Sequence, residues 1–559
     1  MSGEQKKKSN SFLIQGMILA SAGIITRLIG IAYRIPVNNI LGDEGQGIYG
    51  CAFSIYNIAL LLTSYSLPLA VSKLVSARIA KGEHKNAQRI FKGALMFALL
   101  SGAMVGILVF CFSDFIAGTI MSMKLSSYAL RVLAPCLFVV AIMGVIRGYF
   151  QGLGTMIPTA VSQIVEQIVN AIVSIVGASY LLEMGKKAAE TKKEPSLTFA
   201  YGAAGGTLGT LSGAIFGLLF LLLVLKMYYP KMKQRVLKDV TKSVEGYKQI
   251  YAALFVTIAP VIMSTAIYNI SDTIDQGLFS GIMQMQGHAE KEVRSFLGMF
   301  TGKYNTLINI PLAFANALGA SLIPSLTAAV ANGDKKEIRA KINMVIRVVM
   351  LIAIPSCIAF VSIPKQILSL LYVGNVSTSA NMLRIGAITV VFYCLSTITN
   401  SILQGLNKMS TPVKHGAISL CVHLVAVGIM LVGFQWGIYS LVVGNIIFSL
   451  CMCILNERAM RKASGYRQEW KKTFIIPGVS AVIMGIMLKI SWAGMSLFMP
   501  EKLSTVLSVV IAIVVYGGFL LKMGAMSSAE IRALPKGALL LHIFIKLHLV
   551  REEEKNETS

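Results

Sequence analysis

"QGLGTMIPTA" occupies residues 151–160 and "QGLNKMSTPV" residues 404–413, about 250 residues further on. Each follows an apolar stretch that opens on an arginine, Arg131 or Arg384, twenty positions before its glutamine. Locally the phrase spells a tight hairpin, because Gly152 can close one helix and Pro158 can open the next, where its missing N–H costs nothing. A second match has nearly the same offset. "ARIAKGEHKNAQRIFKGALM" (77–96) resembles "TAAVANGDKKEIRAKINMVI" (327–346), each a helix end, a Gly-acid turn and a basic amphipathic run. The chain therefore divides by sequence into an N-lobe over 1–245 and a C-lobe over 246–470, six spans each. Two more helices follow over 471–525, and then a tail over 526–559.

Composition fixes the class. The chain has 559 residues, is 55% hydrophobic and only 14% charged, with a mean hydropathy of +0.70, whereas about a quarter of a soluble domain is charged. An all-α integral membrane protein is expected. Fourteen apolar runs reach the length of about 20 residues that crosses a bilayer, from 12–40 and 48–76, through 157–182 and 248–284, to 473–494 and 503–524.

The net charge of +26 would suggest nucleic acid in a soluble protein, but here it sits in short loops. Starting from Lys6, Lys7 and Lys8, every second loop is basic: Arg78 to Arg89, Lys226 to Lys238, Lys335 to Lys341 and Arg458 to Lys472. That alternation places both termini in the cytoplasm and makes anionic lipid headgroups the counter-surface, with no nucleic-acid partner. The loop "GDEGQG" (42–47) is mixed, and the stretch from Lys186 to Glu194 fits least well. No small-residue cleavage site follows the first apolar run, so it reads as a retained helix. Cys451 and Cys453 form a C-x-C with no histidine nearby, so neither metal, disulfide nor cofactor is expected. "GALLLHIFIKLHLV" (537–550) is too short to cross and reads as an amphipathic helix on the cytoplasmic interface.

Six spans per lobe give both lobes the same orientation. In transporters built from parallel repeats the substrate site lies between halves that rock to expose it to alternate sides. The alternative is a duplication with no mechanical role.

Charges within spans need a reason, since each costs about 2.5–3.5 kcal/mol at mid-bilayer even on the lenient scale. Arg27 and Arg34 lie seven apart in the first span, about two turns, and share a face; Pro36 just beyond is expected to kink the helix. In the seventh span Asp272 and Asp275, three apart, also share a face. The eighth carries Lys303 with Asn305 and Asn309, and the fifth carries Glu166 with Gln163, Gln167 and Asn170. The planar fork of arginine suits phosphate oxygens, so Arg27 and Arg34 are candidates for a pyrophosphate headgroup. The acids could carry a coupling proton or sodium, or pair with the arginines as a static ion pair, and Arg34 and Lys303 could snorkel. His84, His288, His415 and the remaining histidines are read as sitting at loops or helix ends without a role.

These residues resemble a known family. "SAGIITRLIGIAYRIPV", "LGDEGQGIYG", "SYSLPLAVSKLVSARIAKGE", "IRGYFQGLGTMIPTAVSQIVEQIVN" and "TGKYNTLINIPLAFANALGASLIPSLTAAVANGD" are similar to the polysaccharide biosynthesis protein family, in the branch that includes MurJ-type lipid II flippases and stage V sporulation protein B. The resemblance covers about 10–525. It implies two six-helix lobes of the multidrug/oligosaccharidyl-lipid/polysaccharide exporter fold, a central cavity, and an undecaprenyl-pyrophosphate-linked peptidoglycan precursor moved outward across the bacterial cytoplasmic membrane. Arg27 with Gly30 matches the family's first-helix motif; the second arginine of that motif falls at Tyr33, with Arg34 one step along and turned by about 100°. Where some members carry charges in span two, this chain has "ALLLTSYSLP" with only Thr63, Ser64 and Ser66 as polar groups.

Three other readings compete. A drug/cation antiporter of the same superfamily would favour an acid-centred site with few fixed cations. A glycosyltransferase would need a sizeable extramembrane site for nucleotide-sugar and metal, and no loop is long enough to hold one. A non-transporting scaffold would leave Arg27 and Asp275 dispensable.

Overall fold

A computed structural model describes residues 3–64, 66–241 and 243–524. The interfacial helix expected at 537–550 lies outside the described residues. All regular structure among the described residues is helical, and twelve of the helices are long and apolar enough to cross a membrane. The difference from fourteen has two sources. The first of the twelve, Ser21–Ala80, takes in two expected spans, and the continuous helix Tyr247–Met285 is not among them.

The first helix, α1 (Gly3–Thr63), leaves helical geometry at Gly42, where φ is 65° and ψ −178°. Pro36 lies inside the helix, so the break falls six residues later than its proline suggested: only glycine takes that backbone conformation without strain. Leu67–Ala80 (α2) and His84–Cys111 (α3) follow, then Ser126–Gly152 (α4), Ile157–Lys192 (α5), Leu197–Leu237 (α6) and Tyr247–Met285 (α7). The 36 residues of α5 span about 54 Å, well beyond the roughly 30 Å of hydrocarbon. The charges from Lys186 onward, which fitted a loop poorly, ride on that overhang, where Lys186 pairs with Glu183 at 2.6 Å. Glu290–Gly298 (α8) passes through a π-helical turn, Met299–Tyr304, into Asn305–Ala331 (α9). Beyond it come Lys335–Ser362 (α10), Pro364–Leu371 (α11), Ser377–Gly386 (α12), Ile388–Gly405 (α13), Ser410–Gly428 (α14), Tyr439–Ser464 (α15), Ile476–Met495 (α16) and Glu501–Lys522 (α17).

Both copies of the repeated phrase make the expected hairpin. Helix α4 ends at Gly152 and α13 at Gly405, and the left-handed residue that turns the chain is Gly154 (φ 84°) in one copy and Asn407 (φ 59°) in the other. Asparagine is the usual substitute for glycine there. The matching Gly-acid turns place Gly82 (φ 78°) and Gly333 (φ 70°) at equivalent points.

Packing divides the chain into two compact units, Met1–Gly302 with Val427–Leu441, and Lys303–Ala426 with the described residues from Val442. This boundary differs from the sequence division at 245, because α7 and α8 group with the first unit. Within that unit Leu67, Val71, Val75, Ile90, Phe91, Ile146 and Phe150 form a buried cluster. The most extensive seam joins α5 to α6. Gly205, Gly209, Gly213 and Gly217 recur every fourth residue on α6, and a Cβ on Gly205 would lie 2.1 Å from the Gly177 carbonyl oxygen. One on Gly213 would lie 2.5 Å from that of Glu166. In lipid, small residues of this kind let helices gain van der Waals contact that hydrophobicity cannot supply.

Side-chain contacts sort the turns within each unit. In the first, the basic turn after α2 meets the segment after α6: Arg78 pairs with Glu245, the Lys85 amide donates to Asp239 at 2.6 Å, and Asn86 donates to the Ser243 carbonyl at 3.1 Å. The turns of the other set meet one another at Arg294, which reaches Glu44, Ser196 and Glu290. In the second unit the two basic stretches meet where Arg339 donates to the Ser464 carbonyl at 3.3 Å.

Candidate substrate site

Helix α1 presents two different faces around residue 33. Tyr33 is 6% exposed and accepts a hydrogen bond from Asn170 Nδ2 at 3.2 Å. Asn170 is itself fixed, donating to Gln167 Oε1 and accepting from Ser174 Oγ. One residue further the helix has turned by about 100°, and Arg34 is exposed; so is Arg27, seven residues earlier on the same face. The buried position opposite α5 is therefore taken by a neutral phenol, while both guanidinium groups are accessible.

Glu166 lies on the same helix as Asn170, about one turn before it. Its partner is Arg147, whose Nη2 lies 2.8 Å from Glu166 Oε2 and whose Nε donates to Ser162 Oγ at 2.9 Å. Sequence reasoning passed over Arg147. The signal was present: Arg147 stands one helical turn before Gln151, and Ser162 and Glu166, four apart, share a face of the next helix. The second hairpin carries Asn400 and His415 at the corresponding positions. There His415 Nδ1 lies 2.8 Å from Asn456 Oδ1, and Asn456 donates to Asn400 Oδ1 at 2.8 Å and to Thr399 Oγ1 at 3.1 Å. The ion pair of the first hairpin is not repeated in the second, where Asn400 stands for Arg147, His415 for Ser162 and Ser419 for Glu166. His423, read as lying at a helix end, is fully buried inside α14, its ring edge-on to Phe448 at 6.0 Å.

The two aspartates of α7 differ in surroundings: Asp272 is exposed, whereas Asp275 is 1% exposed, beside the buried Gln276. Three residues on a helix leave side chains about 60° apart, enough to separate the two environments. In the second unit Lys303 lies in the π-helical turn and is 3% exposed, its ammonium 6.0 Å from the centre of the Tyr372 ring; such turns recur at functional sites. Asn305 is half-buried and Asn309 exposed on α9. Arg294 also escaped the sequence reading, because it falls just outside the apolar run that begins near 295. Chemically, Arg27 and Arg34 can bind an anion, and Glu166 is already engaged by a cation.

The family model described as "Polysaccharide biosynthesis protein" matches residues 13–330, and the one described as "MatE" matches 302–429. The chain is 27% identical over 539 residues to "Lipid II flippase MurJ" of Bacillus subtilis (strain 168), covering 92% of this chain and 95% of that protein. It is 23% identical to "Stage V sporulation protein B" of the same organism, covering 79% and 82%. Among solved structures, "Lipid II flippase MurJ, inward closed conformation" superposes with a TM-score of 0.63 at 13% identity, over 90% of this chain and 98% of that one. The chain shares the fold of that structure.

Proposed function

The chain belongs to the polysaccharide biosynthesis protein family, and from that membership we propose that it flips an undecaprenyl-pyrophosphate-linked peptidoglycan precursor, lipid II or a related lipid-linked oligosaccharide, across the bacterial cytoplasmic membrane by alternating access. The chain is a multi-pass membrane transporter of the multidrug/oligosaccharidyl-lipid/polysaccharide exporter superfamily, and not an enzyme. In the proposed reading fourteen spans cross the membrane, both termini are cytoplasmic, and the basic turns face the anionic inner leaflet.

The observation that carries the reading is the pair of exposed arginines on one face of α1. A pyrophosphate offers several oxygens to forked donors, and a positive face suits an anionic substrate better than a cationic drug. Asn305 and Asn309 would hydrogen-bond the glycan, and Lys303 would join them where its packing on Tyr372 opens. Asp275, buried, is the candidate to carry a coupling proton or sodium, with Asp272 beside it in the sequence. Glu166 acts through its ion pair with Arg147.

The test is complementation of a strain depleted of its lipid II flippase, with wild type and Arg27→Ala expressed at matched membrane levels. Rescue by wild type alone is expected. Full rescue by Arg27→Ala would remove the arginine from substrate handling. Rescue by neither would redirect the assignment to another cell-surface glycan lipid or to multidrug/cation exchange, the second reading, which the MatE match over 302–429 favours.

A further inference from the structure

Away from the residues assigned to transport, the second unit has a cavity of about 600 Å³ lined by Arg339, Ala340, Asn343, Gly465, Tyr466 and Arg467, a size typical of small-molecule sites. Its frame is rigid. Asn343 Nδ2 donates to Glu469 at 2.7 Å, Tyr466 donates to Asn343 Oδ1 at 3.1 Å, and Arg347 holds the same Glu469 carboxylate at 2.8 Å. The carboxylate is thus neutralised within the frame, while Arg339 and Arg467 remain exposed at the cavity. Gly465 has a left-handed φ of 64°, and a Cβ there would come 2.7 Å from Arg339 Nη2; the glycine lets the guanidinium lie against the turn.

Position narrows the ligand. The cavity sits where three candidate spans end: Lys335–Ser362 begins at it, Tyr439–Ser464 finishes at it, and Lys471–Met495 starts just beyond it. Trp470, 61% exposed and packed on Phe474 with ring centres 5.1 Å apart, stands three residues after Arg467. Tryptophan marks the headgroup level of membranes, and Lys471 and Lys472 add further positive charge at the same level. We propose that this pocket binds the phosphate of an anionic phospholipid headgroup, with Arg339 and Arg467 as its donors. A basic pocket between spanning helices is the arrangement that holds such headgroups, and forked guanidinium groups give it preference for phosphate over a bare negative surface. The site is independent of which substrate is transported.

The chain has three tryptophans, so the full-length protein carrying Trp436→Phe and Trp492→Phe reports on Trp470 alone. In detergent it is titrated with micelles of brominated phosphatidylglycerol or brominated phosphatidylcholine. Half-maximal quenching is expected at an at least about five-fold lower mole fraction of phosphatidylglycerol, the effect of roughly one cation at the surface, and Arg339→Ala with Arg467→Ala should erase the difference. Should the double variant fail to elute as folded protein, Arg467→Ala alone, a change at an exposed side chain, carries the same comparison. Equal quenching by the two lipids, or a preference that survives the substitutions, would overturn the proposal. Loss of the preference in millimolar inorganic phosphate would assign the pocket to free phosphate and overturn the lipid as its occupant; persistence in phosphate supports the lipid.

Discussion

Arg294 Nη2 lies 2.8 Å from Glu44 Oε1, and the two side chains are only 4% and 6% exposed, so α1 and α8 are joined by a buried ion pair. The same guanidinium reaches Glu290 at 2.7 Å and Ser196 at 2.9 Å. The helices are close enough there that a Cβ on Gly298 would lie 1.7 Å from the Asp43 carbonyl oxygen. One residue therefore ties together three turns that are far apart in sequence.

Removing one member of that pair leaves an uncompensated buried charge, which costs about 3–5 kcal/mol. Glu44→Ala and Arg294→Ala should each lower the unfolding temperature markedly in detergent, whereas the two substitutions combined should cost clearly less than the sum of the single losses. Additive losses in that double-mutant cycle would show that the two residues do not act as a pair.

Arg147 and Glu166 bridge the first hairpin in a half-buried setting. Glu166→Gln keeps an acceptor for Arg147 but loses the charge, so a stability loss of about 1–3 kcal/mol is expected with transport retained. Transport abolished at normal stability and expression would instead make Glu166 a participant in the cycle.

Asp239 lies between α6 and α7. Burial pushes its carboxyl upward, but hydrogen bonds from the Thr241 hydroxyl and from the Lys85 and Thr241 amides, with the charge of Lys85, prevail and hold it at about 2. Its folded value is thus below the unfolded value of about 3.9. The stabilisation is complete above that value and is lost as pH falls through about 2. Thermal unfolding of wild type and Asp239→Asn should differ at pH 5 and converge as the pH approaches 2. A constant gap would remove the carboxylate as the cause.

On the α5–α6 seam, Gly205→Ala should destabilise by about 1–3 kcal/mol, the usual cost of overpacking, because its Cβ has no space beside Gly177. Gly478→Ala, where a Cβ would meet nothing within 4 Å, should leave the unfolding temperature unchanged or slightly raised. Similar behaviour of the two variants would argue against close backbone contact along the seam.

Much of the helical architecture was legible because apolar runs, turn chemistry and alternating loop charge act locally and agree. The hairpin at Gly152 and its copy at Gly405 could be read from a few letters. The break in α1 could not, because proline is the louder signal, yet the non-helical residue is Gly42. The charges on α5 misled for a related reason: a helix can outrun the membrane, and composition marks only where the hydrocarbon ends. The candidate residues were found by asking which charges lie within spans, so Arg27, Arg34, Asp275 and Lys303 were visible. Arg147 and Arg294 were missed because their significance lies in partners 19 and 250 positions away, and a single sequence does not record such pairings.

The glycine ladder on α6 has a consequence for motion. Packed helices slide past one another when side chains can hop between alternative nests, but at Gly205 and Gly213 the main chains themselves abut. Such a joint has no intermediate setting. Whatever rearrangement carries cargo through this protein, α5 and α6 must travel together, and the bending has to be taken up at other helix contacts.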